Sequence, residues 1–196
     1  MTMEKEKEIR NVASEVRFSA EEGIVEGYAM LFDVQSDGLP FYETIERGAL
    51  DGVVERSDVF ALLNHSLERG VLARSNRGRG SLSLEVDERG LKYRFTIPDT
   101  AVGKELAENL RRGEIDSSSF GFTVDEDKWE KRDDGIWSRR IIRIAELFDV
   151  SPVYRAAYSA TSVSLRGRER AEAELREREQ RAVAEYLDRI EQSLNI

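Results

Sequence analysis

The stretch LSLEVDERGLKYRFTI, Leu82 to Ile97, reads as a β-hairpin and sets the fold class. Leu82, Leu84 and Val86 alternate with polar residues, Asp87-Glu88-Arg89-Gly90 supplies turn chemistry, and Leu91, Tyr93, Phe95 and Ile97 alternate back. A period of two on both arms leaves one face wet and one face for a core. Directly after it, Pro98-Asp99-Thr100 stops the strand and caps a helix. Val102, Leu106, Ala107 and Leu110 form the apolar stripe of that helix, and Arg111-Arg112-Gly113 closes it with cations and a glycine. The pattern predicts a helix over 100–112.

Outward from this centre the chain is mostly short apolar segments divided by turn residues. Residues 1–13 are polar and charged and are expected to form a flexible N-terminal arm, with the folded domain spanning 14–165. Gly23 to Asp33 carries Ile24, Tyr28, Met30, Leu31 and Phe32 and reads as a buried strand, followed by a loop at Asp37-Gly38-Leu39-Pro40. Val59 to Leu63, Ser119 to Val124 and Trp137 to Val150 read as further strands. The last has Ile141, Ile142, Ile144, Leu147 and Phe148 as candidate core. From 166 to 196 the sequence turns into a charged helical tail, in which Val183, Leu187, Ile190 and Leu194 recur at spacings of four, three and four. That tail is either a solvated helix packed by one weak stripe or a docking or self-association segment.

Composition narrows the chemistry. A chain of 196 residues with 40% hydrophobic content has room for one domain with a core and a short appendage. Cysteine is absent, so disulfides, thiolate nucleophiles and cysteine-bound zinc are excluded. A single histidine, His65, must serve any mechanism that needs an imidazole, and a metal site with several histidine ligands is excluded. The formal net charge of -9 argues against nucleic acid as a partner. The N-terminus, Met1-Thr-Met-Glu-Lys-Glu-Lys-Glu, lacks the apolar core of a signal peptide, and no stretch is long and apolar enough to span a bilayer. A soluble, unexported protein without a membrane partner is expected.

Two segments carry chemistry. His65 follows the strand Val59 to Leu63, which places its imidazole at a strand end, where clefts commonly form. Ser117-Ser118-Ser119 runs straight into Phe120-Gly121-Phe122, so three hydroxyls precede a buried strand start. A serine hydroxyl attacks an amide only with a base in hydrogen-bond reach and donors for the oxyanion, and His65 is the base best matched to neutral pH. The base needs an orienting group, and Ala145-Glu146-Leu147-Phe148-Asp149-Val150-Ser151 brings acids to the end of the last long strand. Asp149 is the choice and Glu146 the competitor, since two residues three apart face opposite sides of an ideal strand. Either acid has an alternative fate as an ordinary ion-pair partner of Arg139, Arg140 or Arg143.

Taken in order, these segments resemble the prohead maturation serine proteases of tailed bacteriophages, a family related in fold to the herpesvirus capsid protease assemblin. The resemblance covers about residues 17–165. It rests on Glu26-Gly27-Tyr28-Ala29, Leu31-Phe32-Asp33, Phe41 to Asp51 and Ala61-Leu62-Leu63-Asn64-His65. It continues through Gly90-Leu91, Pro98-Asp99-Thr100, Arg112-Gly113-Glu114-Ile115 and Ser119-Phe120-Gly121-Phe122, and closes on Leu147 to Val153 and Ala156-Ala157-Tyr158.

The resemblance implies an α+β, mainly β fold: a compact antiparallel β-barrel with flanking helices, to which the charged C-terminal helix is added. It selects Ser119 as nucleophile, with His65 as base and Asp149 as orienter, no cofactor, and oxyanion donors from nearby backbone amides or from Arg140 or Arg143. It also implies substrates, namely the scaffolding region of the major capsid protein or a separate scaffold protein, with self-cleavage and a possible homodimer. The setting would be the assembling prohead in the host cytoplasm. Two departures stand out: the family's usual acid at the Asp149 position is glutamate, and assemblin's second histidine has no counterpart in this chain. A catalytically inactive assembly scaffold on the same fold is the alternative reading.

Overall fold

The computed structural model describes residues 6–12, 16–36, 38–154 and 162–194. Asp37, the 13–15 stretch that includes the expected domain start and the Ala156-Ala157-Tyr158 segment lie outside them. The chain divides into two units, Met1–Thr161 and Ser162–Ile196.

Among the described residues the first unit carries eleven strands and two helices. Its larger sheet contains β1 (Glu8–Val12), β4 (Tyr42–Ile45), β5 (Asp58–Leu62), β6 (Val71–Asn76), β7 (Arg79–Gly80), β10 (Ser117–Lys131) and β11 (Trp137–Val153). The order is β1-β10-β11-β5-β6-β7, with β4 also paired to β11. The smaller sheet has β2 (Val16–Ser19), β3 (Ile24–Leu31), β8 (Ser83–Val86) and β9 (Gly90–Thr96) in the order β2-β3-β9-β8. The hairpin read from residues 82–97 is β8 and β9, paired antiparallel from Ser83↔Arg94 to Val86↔Leu91.

The closed antiparallel barrel does not form. Among the described residues no ladder joins the edge strands β1 or β7 to the smaller sheet, and both β4 and β5 pair with β11 in parallel. The layers meet through side chains instead. One buried cluster takes Val25, Met30, Leu91, Tyr93 and Phe95 from the smaller sheet and Val59, Phe120, Phe122, Ile144 and Leu147 from the larger. The parallel pairing follows from the connection between β4 and β5, where the short helix α1 (Val53–Arg56) buries Val53 and Val54 and Arg56 donates to the Ile144 carbonyl at 3.0 Å.

Helix α2 (Ala101–Arg112) matches the sequence pattern: Thr100 accepts from the Gly103 amide at its start, and Gly113 closes it at φ 74. That left-handed conformation, with Glu114 N donating to the Asn109 carbonyl at 2.9 Å, is the reason for the glycine. Val102 and Leu106 put α2 against the same core.

Part of the segment read as a flexible arm is strand. In β1 the burial alternates inward at Glu8, Arg10 and Val12, and Glu8 and Arg10 are buried although charged. Their charges are matched. Arg10 reaches Glu43 at 2.5 and 2.8 Å and Glu8 at 2.7 Å, while Arg139 reaches Glu8 at 2.8 and 2.9 Å, Glu43 at 3.0 Å and Asp127 at 2.7 Å. A buried charge is tolerated when it is paired and hydrogen-bonded in this way. For both Arg10 and Arg139, burial favours the neutral form, but the carboxylates around them raise the guanidinium pKa values overall.

The second unit is a single helix, α3 (Ser162–Leu194), which begins ahead of the charged run at Arg166. Arg181 pairs with Glu177 one turn away at 3.2 Å.

Candidate active site

Three adjacent strands of the larger sheet each deliver one side chain. Ser119 on β10 lies opposite Ser151 on β11, and Asp149 on β11 lies opposite Gly121 on β10, so serine and aspartate are diagonal neighbours. On the other side of β11, Phe60 of β5 pairs with Asp149, and β5 runs on toward His65.

A tight turn then brings the imidazole back. Asn64 and His65 both have positive φ, 53 and 59, and the Leu63 carbonyl accepts from Ser66 N at 3.2 Å, the pattern of a primed turn. Asn64 N donates to the Pro152 carbonyl at 3.0 Å, which ties this turn to β11. Left-handed residues other than glycine cost roughly 1–3 kcal/mol each and persist where surrounding contacts impose them.

The resulting geometry joins the three residues read from the sequence. His65 Nε2 is 2.6 Å from Ser119 Oγ, and His65 Nδ1 hydrogen-bonds Asp149 Oδ2. Ser117 and Ser118 are placed elsewhere: Ser117 donates to Asp116 at 2.6 Å, and Ser118 Oγ pairs with the buried Tyr93 hydroxyl at 2.8 Å. Glu146 is exposed, opposite Thr123, and takes no part. Arg140 and Arg143 do not sit beside Ser119. They pair with Glu46 and with Asp125 and Glu126, and the ladder sets them opposite Lys128 and Glu126, toward the turn end of the β10–β11 ribbon.

Three contacts were not read from the sequence. Ser151 Oγ donates to Asp149 Oδ2 at 2.7 Å, and Lys7 Nζ donates to Asp149 Oδ1 at 2.5 Å. Ser119 Oγ donates to the Arg10 carbonyl at 2.9 Å. The period-two rule offers a signal for Ser151, two residues past Asp149 on one strand, whereas nothing local points to Lys7 or Arg10. Gly121 makes room for the lysine: a Cβ there would lie 2.2 Å from Lys7 Cε and 2.6 Å from Asp149 Oδ1.

Burial of Asp149 favours its neutral form, but hydrogen bonds and charge from His65 and Lys7 outweigh that and hold its pKa at about 2, below the ordinary 3.8. A carboxyl depressed in the folded state stabilises above its unfolded pKa and loses that contribution as pH falls through the folded one. The lowering amounts to about 2 kcal/mol, present above about pH 4 and lost toward pH 2. Urea unfolding midpoints between pH 5 and 2 are expected to fall more steeply for the wild type than for Asp149→Asn. Among the described residues no group of three or more His, Cys, Asp or Glu is placed to hold a metal ion.

A serine hydroxyl, an imidazole and a buried carboxylate in line are the parts of an acyl-transfer site. Comparison with known proteins agrees with that chemistry. No curated protein gives a significant match. Among solved structures, the bacteriophage T4 capsid assembly protease gp21 is similar, with a TM-score of 0.50 and 13% identity over 78% of this chain and 99% of that one, a likeness of fold. The sequence pattern of the caudovirus prohead serine proteases matches residues 8–176, from the first residue of β1 to well inside α3. With most of its length, including every residue of the Ser119–His65–Asp149 constellation, inside that match, the chain belongs to the caudovirus prohead serine protease family.

Proposed function

We propose that the chain is a serine endopeptidase that cuts the scaffolding segments of capsid proteins, and itself, inside the assembling shell. Ser119 attacks the scissile carbonyl, and His65 takes the hydroxyl proton and returns it to the leaving amine. Asp149 holds the imidazole and stabilises its charged form. The observation that carries this reading is the continuous run from Ser119 Oγ through both ring nitrogens of His65 to Asp149. Membership of a serine protease family supports it independently.

Asp149 is shorter than glutamate, and its direct contact to Nδ1, with a second hydrogen bond from Ser151 to the same oxygen, supports the orienting role for it. The hydrogen bonds that link Ser119, His65 and Asp149 weigh against the inactive-scaffold alternative, which has no need of them. The substrate assignment is tested by co-expressing the chain with the major capsid protein and scaffold of the same phage. Truncated capsid or scaffold chains are expected with the wild type and not with Ser119→Ala. Full-length chains in both cultures would refute the assignment.

A further inference from the structure

We infer that Ser151 is a positioning residue, whose hydroxyl fixes Asp149 Oδ2 against His65 Nδ1 and so keeps the bare nitrogen Nε2 on Ser119, an inference that rests on the proposed role of Ser119 as nucleophile.

The ladder between β10 and β11 is regular here, with Ser119 opposite Ser151 and Gly121 opposite Asp149. Two residues apart on one strand, Ser151 and Asp149 share a face, and Ser119 meets them on it from across the ladder. The fourth corner, Gly121, is bare: a Cβ there would lie 2.6 Å from Asp149 Oδ1, so no β-carbon braces the carboxylate from that side.

Two fully buried hydroxyls thus face each other, and their partners give them different tasks. Ser151 Oγ carries one hydrogen and a carboxylate only accepts, so that hydrogen is committed to Oδ2 in the 2.7 Å bond. Ser119 Oγ instead lies 2.6 Å from His65 Nε2.

The torsion that turns an aspartate carboxylate is broad and sets no sharp orientation by itself. Oδ2 takes one bond from Ser151 on its own strand and one from His65 on the turn after β5. Lys7 Nζ meets the other oxygen at 2.5 Å from a side chain 40% exposed, which leaves the buried hydroxyl as the water-excluded anchor of Oδ2. With Oδ2 held, the ring hydrogen sits on Nδ1 and the lone pair on Nε2, the tautomer able to take the Ser119 proton. Without the anchor the carboxylate swings in its broad well, and the tautomer that carries hydrogen on Nε2 becomes populated.

His65 is the sole histidine, so histidine labelled with a heavy nitrogen isotope reports on this ring alone by magnetic resonance. Wild type, Ser151→Ala, Ser151→Cys and Ser119→Ala are compared in the full chain, with circular dichroism to establish that each is folded. Cysteine occupies the serine's place with only a weak donor, which separates the hydrogen bond from packing. At alkaline pH, where an ordinary imidazole is neutral, the wild type is expected to show one tautomer, protonated at Nδ1, and both Ser151 variants a mixture. The second readout is labelling by a fluorophosphonate, in which Ser119 Oγ bonds to phosphorus, fluoride leaves and His65 takes the hydroxyl proton. Both Ser151 variants are expected to label about 10- to 100-fold more slowly at saturation, with the half-saturating concentration unchanged, because the hydroxyl acts through Asp149. A serine that only supports the fold would move neither the tautomer nor the limiting rate. If both folded variants keep the wild-type tautomer or the wild-type limiting rate, or if Ser151→Cys matches the wild type in both, the positioning role is overturned while the nucleophile stands. If no protein forms an adduct that depends on Ser119, the nucleophile assignment falls and the positioning role with it.

Discussion

Ser119→Ala and His65→Gln are each expected to lower the rate of peptide-bond cleavage by roughly 10³- to 10⁶-fold, and the double variant by little more than either alone. In the proposed mechanism the two side chains act as one unit. Without Oγ there is no atom to form the acyl-enzyme. Without the imidazole the hydroxyl keeps its proton, because among the described residues no other base is hydrogen-bonded to it. Asp149→Asn is expected to lose less, because Ser151 and the turn at Asn64 still hold the neighbouring groups, but the amide supplies no charge for the imidazolium. Single-turnover cleavage of a capsid-derived peptide measures all of these. Losses that multiplied in the Ser119→Ala/His65→Gln protein would mean that the residues act independently.

Arg139→Met is expected to destabilise the fold by about 3–5 kcal/mol, the range for breaking a buried ion pair from one side. Arg139 is 3% exposed and donates to Glu8, Glu43 and Asp127. Its removal leaves Arg10 alone to answer two fully buried carboxylates. Burial pushes the pKa of Glu43 up, but the guanidinium groups of Arg10 and Arg139 outweigh that and hold it below the usual range, so losing one cation is felt directly. The balanced Glu8→Gln/Arg10→Met change is expected to cost less than Arg139→Met, because it strands no charge. Urea denaturation of the two variants reads the difference. Equal midpoints would show that the cluster does not behave as a desolvated, mutually dependent set.

The parts of this fold legible in the sequence are those where hydrophobicity and periodicity agree. Leu82 to Val86 and Leu91 to Ile97 each alternate cleanly around a turn, and α2 carries a cap, a stripe and a terminal glycine, so both elements appear as read. β1 is illegible for a physical reason: its inward residues include Glu8 and Arg10, which a hydropathy pattern reports as surface. Their partners, Glu43 and Arg139, are far off in sequence, and only the folded chain shows that the charges cancel.

The far half of β10 is hidden in a similar way. Asp125 to Lys131 is nearly all charged, and its strand character comes from cross-strand pairs such as Arg139–Asp127 and Arg143–Asp125. The barrel expectation came from resemblance, and local sequence carries nothing about whether the edges of two sheets meet.

The site was legible to a comparable extent. His65 follows from being the sole imidazole, whereas the residues alone left Ser117, Ser118 and Ser119 open, and only the family resemblance, which implies a nucleophile just before Phe120-Gly121-Phe122, selected Ser119. Ideal strand parity said only that Asp149 and Glu146 could not both face one cleft, and β11 does not keep that parity: the ladder steps from Asp149 to Leu147 while β10 steps from Gly121 to Phe122, leaving Phe148 as a bulge. What selects Asp149 is its position beside Phe60 of β5, next to the strand that ends at the histidine turn. Lys7 and the Arg10 carbonyl lie in a segment with no local signature, and a backbone oxygen leaves no trace in side-chain pattern.

The central claim is that Ser119 is a nucleophile activated by His65. Peptide mapping by mass spectrometry after exhaustive fluorophosphonate treatment tests it most directly. The account predicts a single adduct on the peptide containing Ser119, absent in His65→Gln. An adduct on Ser117, Ser118 or Ser151, or one at Ser119 that survives loss of the imidazole, would contradict it.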